Sequence, residues 1–487
     1  MLKETTLNHL PAGVQAPQYR RAEVGRGIVH FGVGNFFRAH EAWYVDRCLA
    51  LPGQSAWGIV GVGLNGGRRG EAKAHEFQQQ DGLYSLTEVA ADGARRVSVI
   101  GALREYLLAP ADPEAVLRRL ADPGTRIVSM TITEGGYNIN EKTGEFRLDT
   151  PAIQADLANP RRPATVFGYV VEGLRRRREA GVAPFTVLSC DNLRSNGHIA
   201  HTAFVGYARA LDADLAAWIN ANVTFPCSMV DRITPGVDTA TRNALNEASG
   251  LEDDLPVLAE DFSQWVLEDR FCNGRPALEK VGVEFVDDVA GYEQVKVRML
   301  NAGHILLGAL GLLLGYRYAH ETVEDADLER FANAYWTLDA MPLIDAPAGV
   351  DLDVYRRRLL SRFSNRAVAD TLLRICSDGA SKVQVFWTDT VRRALARGHD
   401  LERIAFGIAA YLEMLRGRDE RGETYSPVEP TLDADQLALV NATDLAAALA
   451  LPAFDGWRDM DTTALDQAVV RARRAIREHG VRAGLPR

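Results

Sequence analysis

The chain predicts an α/β half followed by a mostly α-helical half. Three observations carry that expectation. Short apolar runs alternate with helical patterns from about residue 27 to about residue 285, as in a parallel, doubly wound sheet. The first run, Ile28 to Phe31, leads into Gly32-Val33-Gly34 and then into a helix. After about residue 285 the strand signals largely stop, and Gly291 to Tyr316 reads as one long helix with little to break it.

Residues 1 to about 26 are polar and turn-rich, an arm lying on the fold. Ile28 to Phe31, Trp57 to Leu64, Arg96 to Leu103, Thr125 to Ile132, Pro184 to Cys190 and Val223 to Met229 read as strands. Helical patterns cover roughly 37–51, Glu114 to Leu120, Val166 to Ala180 and Gly197 to Asn222. Past a boundary at Asp287-Asp288, the patterns at 322–337, 352–362, 365–376, 381–397 and 400–416 are helical. The predicted domains are therefore 1–287 and 288–487.

Composition bounds the function classes. The 487 residues carry 47% hydrophobic and 25% charged side chains, ordinary for a globular protein with two large cores. Net charge is −10, and the basic clusters at Arg175 to Arg178 and Arg356 to Arg358 are short, so no nucleic-acid partner is expected. Five scattered cysteines with no CxxC argue against a disulfide framework and a zinc knuckle. The first residues show no signal-peptide core, and the longest apolar run, Ala302 to Gly315, is too short to span a bilayer. A cytoplasmic protein without a membrane or metal follows.

The glycine turn gives the first half its chemistry. A strand, Gly32-x-Gly34 and a helix form the dinucleotide-binding pattern of a Rossmann-type domain. Two glycines allow a tight turn and close approach to a pyrophosphate, which then faces the first helical amides. Phe37 stands where the third glycine of the usual fingerprint would be. The second strand ends in Gly63-Leu64-Asn65-Gly66-Gly67-Arg68-Arg69, with no acid before Glu71. An acid there would bond the ribose 2′-hydroxyl of NAD, whereas Arg68 suits the 2′-phosphate of NADP.

The long helix gives the second half its chemistry. At about 100° per residue, Glu293, Asn301 and His304 fall roughly 60°, 140° and 80° from Lys296, within one broad face. Alcohol oxidation by a nicotinamide needs a base for the hydroxyl proton and donors for the developing alkoxide. Lys296 serves as base if its amine is uncharged, which burial favours. Asn301 and Asn192, the latter after a predicted strand, are the donors. His304 bonds a neighbouring hydroxyl, and Glu293 exchanges protons with Lys296. Tyr292 also stands four residues before Lys296, the spacing of short-chain dehydrogenases. It lies too late in the chain for a compact enzyme of that class.

Five stretches in order resemble the polyol-specific long-chain dehydrogenases, the mannitol 2-dehydrogenase family. They are Gly32-x-Gly34-x-Phe36-x-Arg38-Ala39-His40, Thr131 to Tyr137, Ser189 to Asn192, Met229 to Pro235, and Lys296-x4-Asn301-x2-His304. The resemblance implies metal-free, NAD- or NADP-dependent oxidation of a sugar alcohol to a ketose, D-mannitol to D-fructose first. D-arabinitol, D-sorbitol and, through fructuronate reductase, a sugar acid stand as alternatives. It implies Lys296 as base, Asn192 and Asn301 as the oxyanion pair, and His304 and Glu293 in the roles above. Asp231, Arg374 and Lys382 match polyol-binding positions. Gly32, Val33, Gly34, Asn35, Phe36, Arg38, Arg68 and Thr133 are the expected cofactor groups. Family members are often monomers or homodimers. A nucleotide-binding regulator without turnover is the alternative of a different class, and it would lack the Lys296, Asn301 and His304 face.

Overall fold

A computed structural model describes residues 1–140 and 143–486. The chain forms two compact units, Met1–Ala90 with Ala94–Ala290, and Ala91–Gly93 with Gly291–Arg487.

The first unit is built on five parallel strands: β1 (Ile28–Phe31), β2 (Ile59–Gly63), β3 (Leu103–Leu108), β4 (Ile127–Met130) and β5 (Thr186–Ser189). Their spatial order is β3-β2-β1-β4-β5, so the order reverses beside β1. Ligands of open parallel sheets bind at the carboxyl ends of the strands at such a switch point. Every residue of β1 is buried. Val29 and Phe31 join a core with Val60, Val62, Val128 and Val187, while Ile28 joins another with Ile59, Ile127 and Leu188. Alternate residues thus bury on opposite faces, as a sheet covered on both sides requires.

Several predicted elements differ. The helix expected over 37–51 is two, Asn35–Ala39 and Glu41–Leu49, broken at His40. That imidazole is buried against the Gln264 carbonyl (2.9 Å) and stacks on Phe36, and the backbone bends to bring it there. The strand expected over Arg96–Leu103 breaks near Gly101. Arg95–Ile100 runs antiparallel to Tyr84–Val89 in a second sheet, which also holds Val14–Gln15 and Val257–Glu260. The helix expected over Gly197–Asn222 breaks at Asp212, whose carboxylate caps Ala213–Asn222 through the amides of Asp214 (2.8 Å) and Leu215 (3.0 Å). The strand expected from Val223 begins at Ser228 and lies in a third sheet with Gln264–Glu268 and Glu284–Val286.

The second unit is helical around one large core. The stretch read as a single long helix is α-helical over Ala290–Val295, winds with π geometry over Lys296–Asn301, and returns to α over Ala302–Leu313. The cause lies in side chains inserted against its carbonyls. The Trp336 indole donates to the Met299 carbonyl (2.9 Å), and Gly303, whose added Cβ would meet that ring at 2.7 Å, leaves room for it. The helix expected over 365–376 shrinks to Leu372–Cys376. The Asn365 side chain instead accepts from Ala367 in a turn, and Thr371 bridges to Tyr318. Among the described residues no helix is long and apolar enough to cross a membrane.

Candidate active site

The glycine turn after β1 is fixed from below. Gly32 has φ +93°, and a Cβ there would lie 2.0 Å from the Thr131 carbonyl oxygen. Thr131 Oγ1 donates to the Gly32 carbonyl (2.7 Å) and meets His30 Nε2 (3.1 Å). The other ring nitrogen of His30 lies 2.8 Å from Ser129 Oγ and 3.0 Å from Glu41. Val33 is buried, whereas Gly34 is exposed and extended at φ −87°, ψ −177°. A Cβ on Gly34 would have only the Gly32 oxygen, at 4.0 Å, within reach. Among the described residues no side chain caps the helix that Gly34 starts. A turn with no Cβ in the way, followed by first-turn amides without intrahelical partners, fits a dinucleotide pyrophosphate.

Two side chains of this motif take other work. Arg38, expected among the cofactor groups, is 4% exposed and donates to the Leu255 carbonyl (2.5 Å) and to Asn35 Oδ1 (2.6 Å). It thereby holds Asn35, which in turn donates to the Pro235 carbonyl (3.2 Å). Burial pushes the His40 imidazole down to about 4, so it stays neutral beside Phe36.

The segment after β2 is a helix, Gly67–Gln79, which sequence patterning missed. Gly67 takes φ +74°, and Gly70 approaches the Asn65 carbonyl so closely that a Cβ would stand 2.0 Å from it. Among the described residues no side chain caps the helix start. Arg68 and Arg69 are exposed, with no ion pair among the described residues. An uncapped helix start with two open guanidiniums presents positive potential of the kind that suits an anion.

The ends of β4 and β5 are tied together by Asp191. Its carboxylate accepts from Ile132 N (3.0 Å), Thr133 N (3.0 Å) and the Tyr137 hydroxyl (2.8 Å). Burial raises this carboxyl while those bonds oppose the rise. Thr133 is held at φ +66°, ψ 163°, a region almost reserved for glycine. Asn192 follows Asp191 and is exposed. Asn196 anchors the loop through the carbonyls of Asp191 (3.1 Å) and Ser228 (2.9 Å). Asp231 ends the Ser228–Asp231 strand and is 5% exposed. Its neighbour Arg232 bonds the Ala39 carbonyl (2.6 Å) and Glu88 (2.6 Å), pinning this strand's end to the glycine-turn segment. Asp191 was legible only as an acid after a strand; its three-way hold had no sequence signal.

In the second unit, Lys296 and Glu293 are each 7% exposed. Lys296 and Asn301 open and close the π segment. Since π geometry pairs residues five apart, it brings them closer in azimuth than the roughly 140° of an α-helix. Among the described residues Asn301 Oδ1 is buried without a hydrogen-bond partner, an acceptor that a hydroxylated ligand would satisfy. His304, one turn on, stacks on Phe363 with centroids 4.0 Å apart. Arg374 is exposed and bidentate to Asp370 (2.7 and 2.5 Å). Lys382 donates to the Ile375 carbonyl (2.9 Å), one residue beyond Arg374. The helix carrying Lys382, Gly379–Arg397, is capped by Glu429 through the amides of Gly379 (3.0 Å) and Ala380 (3.1 Å). Among the described residues no group of three His, Cys, Asp or Glu side chains is placed to hold a metal ion.

Residues 26–280 match the mannitol dehydrogenase Rossmann domain, and residues 288–476 match the mannitol dehydrogenase C-terminal domain. The chain belongs to the mannitol dehydrogenase family. Within that family it is 60% identical to the polyol:NADP oxidoreductase of Gluconobacter oxydans (strain 621H) over 100% of both chains. It is 41% identical to the mannitol 2-dehydrogenase of Phaeosphaeria nodorum, over 86% of this chain and 73% of that one. Among solved structures, a D-sorbitol dehydrogenase in substrate-free form matches with TM-score 0.94 and 59% identity over the whole of both chains. The Pseudomonas fluorescens mannitol 2-dehydrogenase in ternary complex with NAD and D-mannitol matches with TM-score 0.90 and 41% identity, over 99% of this chain and 98% of that one.

Proposed function

We propose that this mannitol dehydrogenase family member oxidises the secondary carbinol of a sugar alcohol to a ketose, with NADP accepted and preferred over NAD. The observation that carries the chemistry is Lys296, a buried amine on a π segment that also places Asn301 with its unsatisfied buried oxygen. The deprotonated amine of Lys296 takes the hydroxyl proton. The side-chain amides of Asn192 and Asn301 donate to the alkoxide oxygen as its charge grows. Glu293, one turn before Lys296 on the same helix, relays that proton onward. His304 holds a neighbouring hydroxyl, and Asp231, Arg374 and Lys382 hold the rest of the polyol. A bound nicotinamide supplies a hydride acceptor at the carbinol carbon. Gly32, Val33, Gly34, Asn35 and Phe36 hold its dinucleotide, and Thr133 lies at the end of the neighbouring strand.

The names of the most similar relatives support a polyol, and so does charge. Arg374 is already met by Asp370, which favours an uncharged substrate over a uronate. D-mannitol remains the first substrate, and the 59% identity to a D-sorbitol dehydrogenase favours D-sorbitol as the second. For NADP, the support is the uncapped helix after β2 with Arg68 at its start. We further read the protein as cytoplasmic, on its five free cysteines, and as a monomer or homodimer, as members of the family often are. The test is nucleotide oxidation with a panel of D-fructose, other ketoses and D-fructuronate, each with NADPH and NADH. Fructose reduction driven mainly by NADPH is expected. Turnover confined to the uronate would overturn the polyol reading.

A further inference from the structure

A cation outside the predicted set reaches the glycine turn. Lys73 lies on the helix Gly67–Gln79, and its ammonium donates to the Val33 carbonyl, the middle residue of Gly32-Val33-Gly34. It stands one helical turn after Arg69, so the two share a face of that helix. Arg68 and Arg69 occupy the uncapped start of the same helix. Among the described residues no carboxylate forms an ion pair with Arg68, Arg69 or Lys73. Three cations thus run from the end of β2 to the turn where a dinucleotide lies. A solvated lysine would gain little from a backbone carbonyl. This one is half-buried and feels the repulsion of the buried Arg38 guanidinium, a cost that a nearby anion would offset.

We propose that Lys73 is a phosphate-binding residue of the cofactor site, shifting from the Val33 carbonyl to a phosphate of the bound dinucleotide. This rests on the reading that the chain binds NADP. The phosphate is the 2′-phosphate or the pyrophosphate, both within the stretch the cationic face covers. The groups that set Lys73's charge agree. Burial holds its ammonium down at about 8, Arg38 and Arg69 push the same way, and Glu76 alone opposes them. Tyr106, on the adjoining strand, is occupied by its stack on Phe77 at 4.7 Å. A bound phosphate favours the charged amine, so nucleotide binding near pH 8 takes up a proton. Affinity falls as pH rises through that value.

The test is calorimetric titration of the full chain with NADP and with NAD at pH 6.5, 8 and 9.5, in buffers of different ionisation enthalpy. Wild type, Lys73→Met and Lys73→Arg are compared. Lys73→Met is expected to weaken nucleotide binding about tenfold at pH 6.5 and to abolish proton uptake at pH 8, with Lys73→Arg restoring affinity. Loss with NADP alone assigns the 2′-phosphate, and equal loss with both nucleotides assigns the pyrophosphate. Unchanged affinity and proton uptake in Lys73→Met would overturn the assignment. A wild-type chain that binds neither nucleotide would instead overturn the cofactor reading itself.

Discussion

The two glycines of the turn have different jobs, and Ala substitutions separate them. At Gly32 an added Cβ meets the Thr131 carbonyl oxygen at 2.0 Å and its carbon at 2.8 Å. Neither side yields easily. Thr131 N continues the sheet ladder to the Phe31 carbonyl (2.9 Å), and its hydroxyl is tied to Gly32 (2.7 Å). Relief needs the turn to move by roughly an ångström, because non-bonded heavy atoms want about 3.5 Å. The left-handed φ of +93° costs a side chain about 1–2 kcal/mol, and overpacking adds about 1–3. The sum, about 2–5 kcal/mol, lowers Tm by roughly 4–20 °C at about 2–4 °C per kcal/mol. A displaced turn also loses at least one charge-assisted bond to phosphate, about 1.5–3 kcal/mol, which raises the nucleotide Kd about 10- to 150-fold. Gly34→Ala meets only open space at a φ that alanine adopts, so its melting temperature should stay near wild type. Its nucleotide affinity should still fall, because the new methyl stands where the ligand approaches. Fluorescence titration with NADPH and thermal melts read both effects. A Gly32→Ala chain with wild-type Tm and Kd would refute the clash argument, and a Gly34→Ala chain binding as tightly as wild type would refute the ligand-approach argument.

Two further outcomes follow from particular groups. Arg68→Ala should raise the KM for NADP by about 10- to 100-fold and leave that for NAD nearly unchanged, since only the 2′-phosphate is lost as a partner; equal effects on both would place Arg68 elsewhere. Burial pushes Glu429 up to about 7 from an unfolded value near 4.5, so its contribution to stability is complete below about 4.5 and is lost as pH rises through about 7. Glu429→Gln should therefore flatten part of the fall in Tm between pH 5 and pH 8. Asp46, raised by burial to about 6, changes stability in the same direction in both chains, so the difference between them isolates Glu429. Parallel curves would remove Glu429 as the cause.

What the sequence disclosed follows from what sets each element. The strand Ile28–Phe31 and its turn were legible because an apolar run and two glycines are local signals. The helix Gly67–Gln79 was not, because it buries only Phe77 and starts with glycines, so it shows little apolar stripe and reads as a polar loop. The Arg96–Leu103 run merged two strands of different sheets because the chain turns at Gly101 without breaking the apolar pattern. The π segment has no signature in its own residues. It is set by Trp336, 37 positions away from the carbonyl it bonds. The same limit hid the Asp191 and Glu429 holds, which are tertiary. It also gave Arg38 a ligand's place, although its guanidinium turns inward to Leu255, 217 positions on.

The central claim concerns the amine at position 296 as the base for the carbinol proton. Its most direct test is the turnover of Lys296→Ala with polyol and saturating NADP, read beside the nucleotide Kd of the same preparation. The account predicts a fall in kcat of about 10²–10⁴-fold or more with the Kd unchanged, because loss of a general base leaves cofactor binding intact. A kcat within about threefold of wild type, at unchanged Kd, would contradict it.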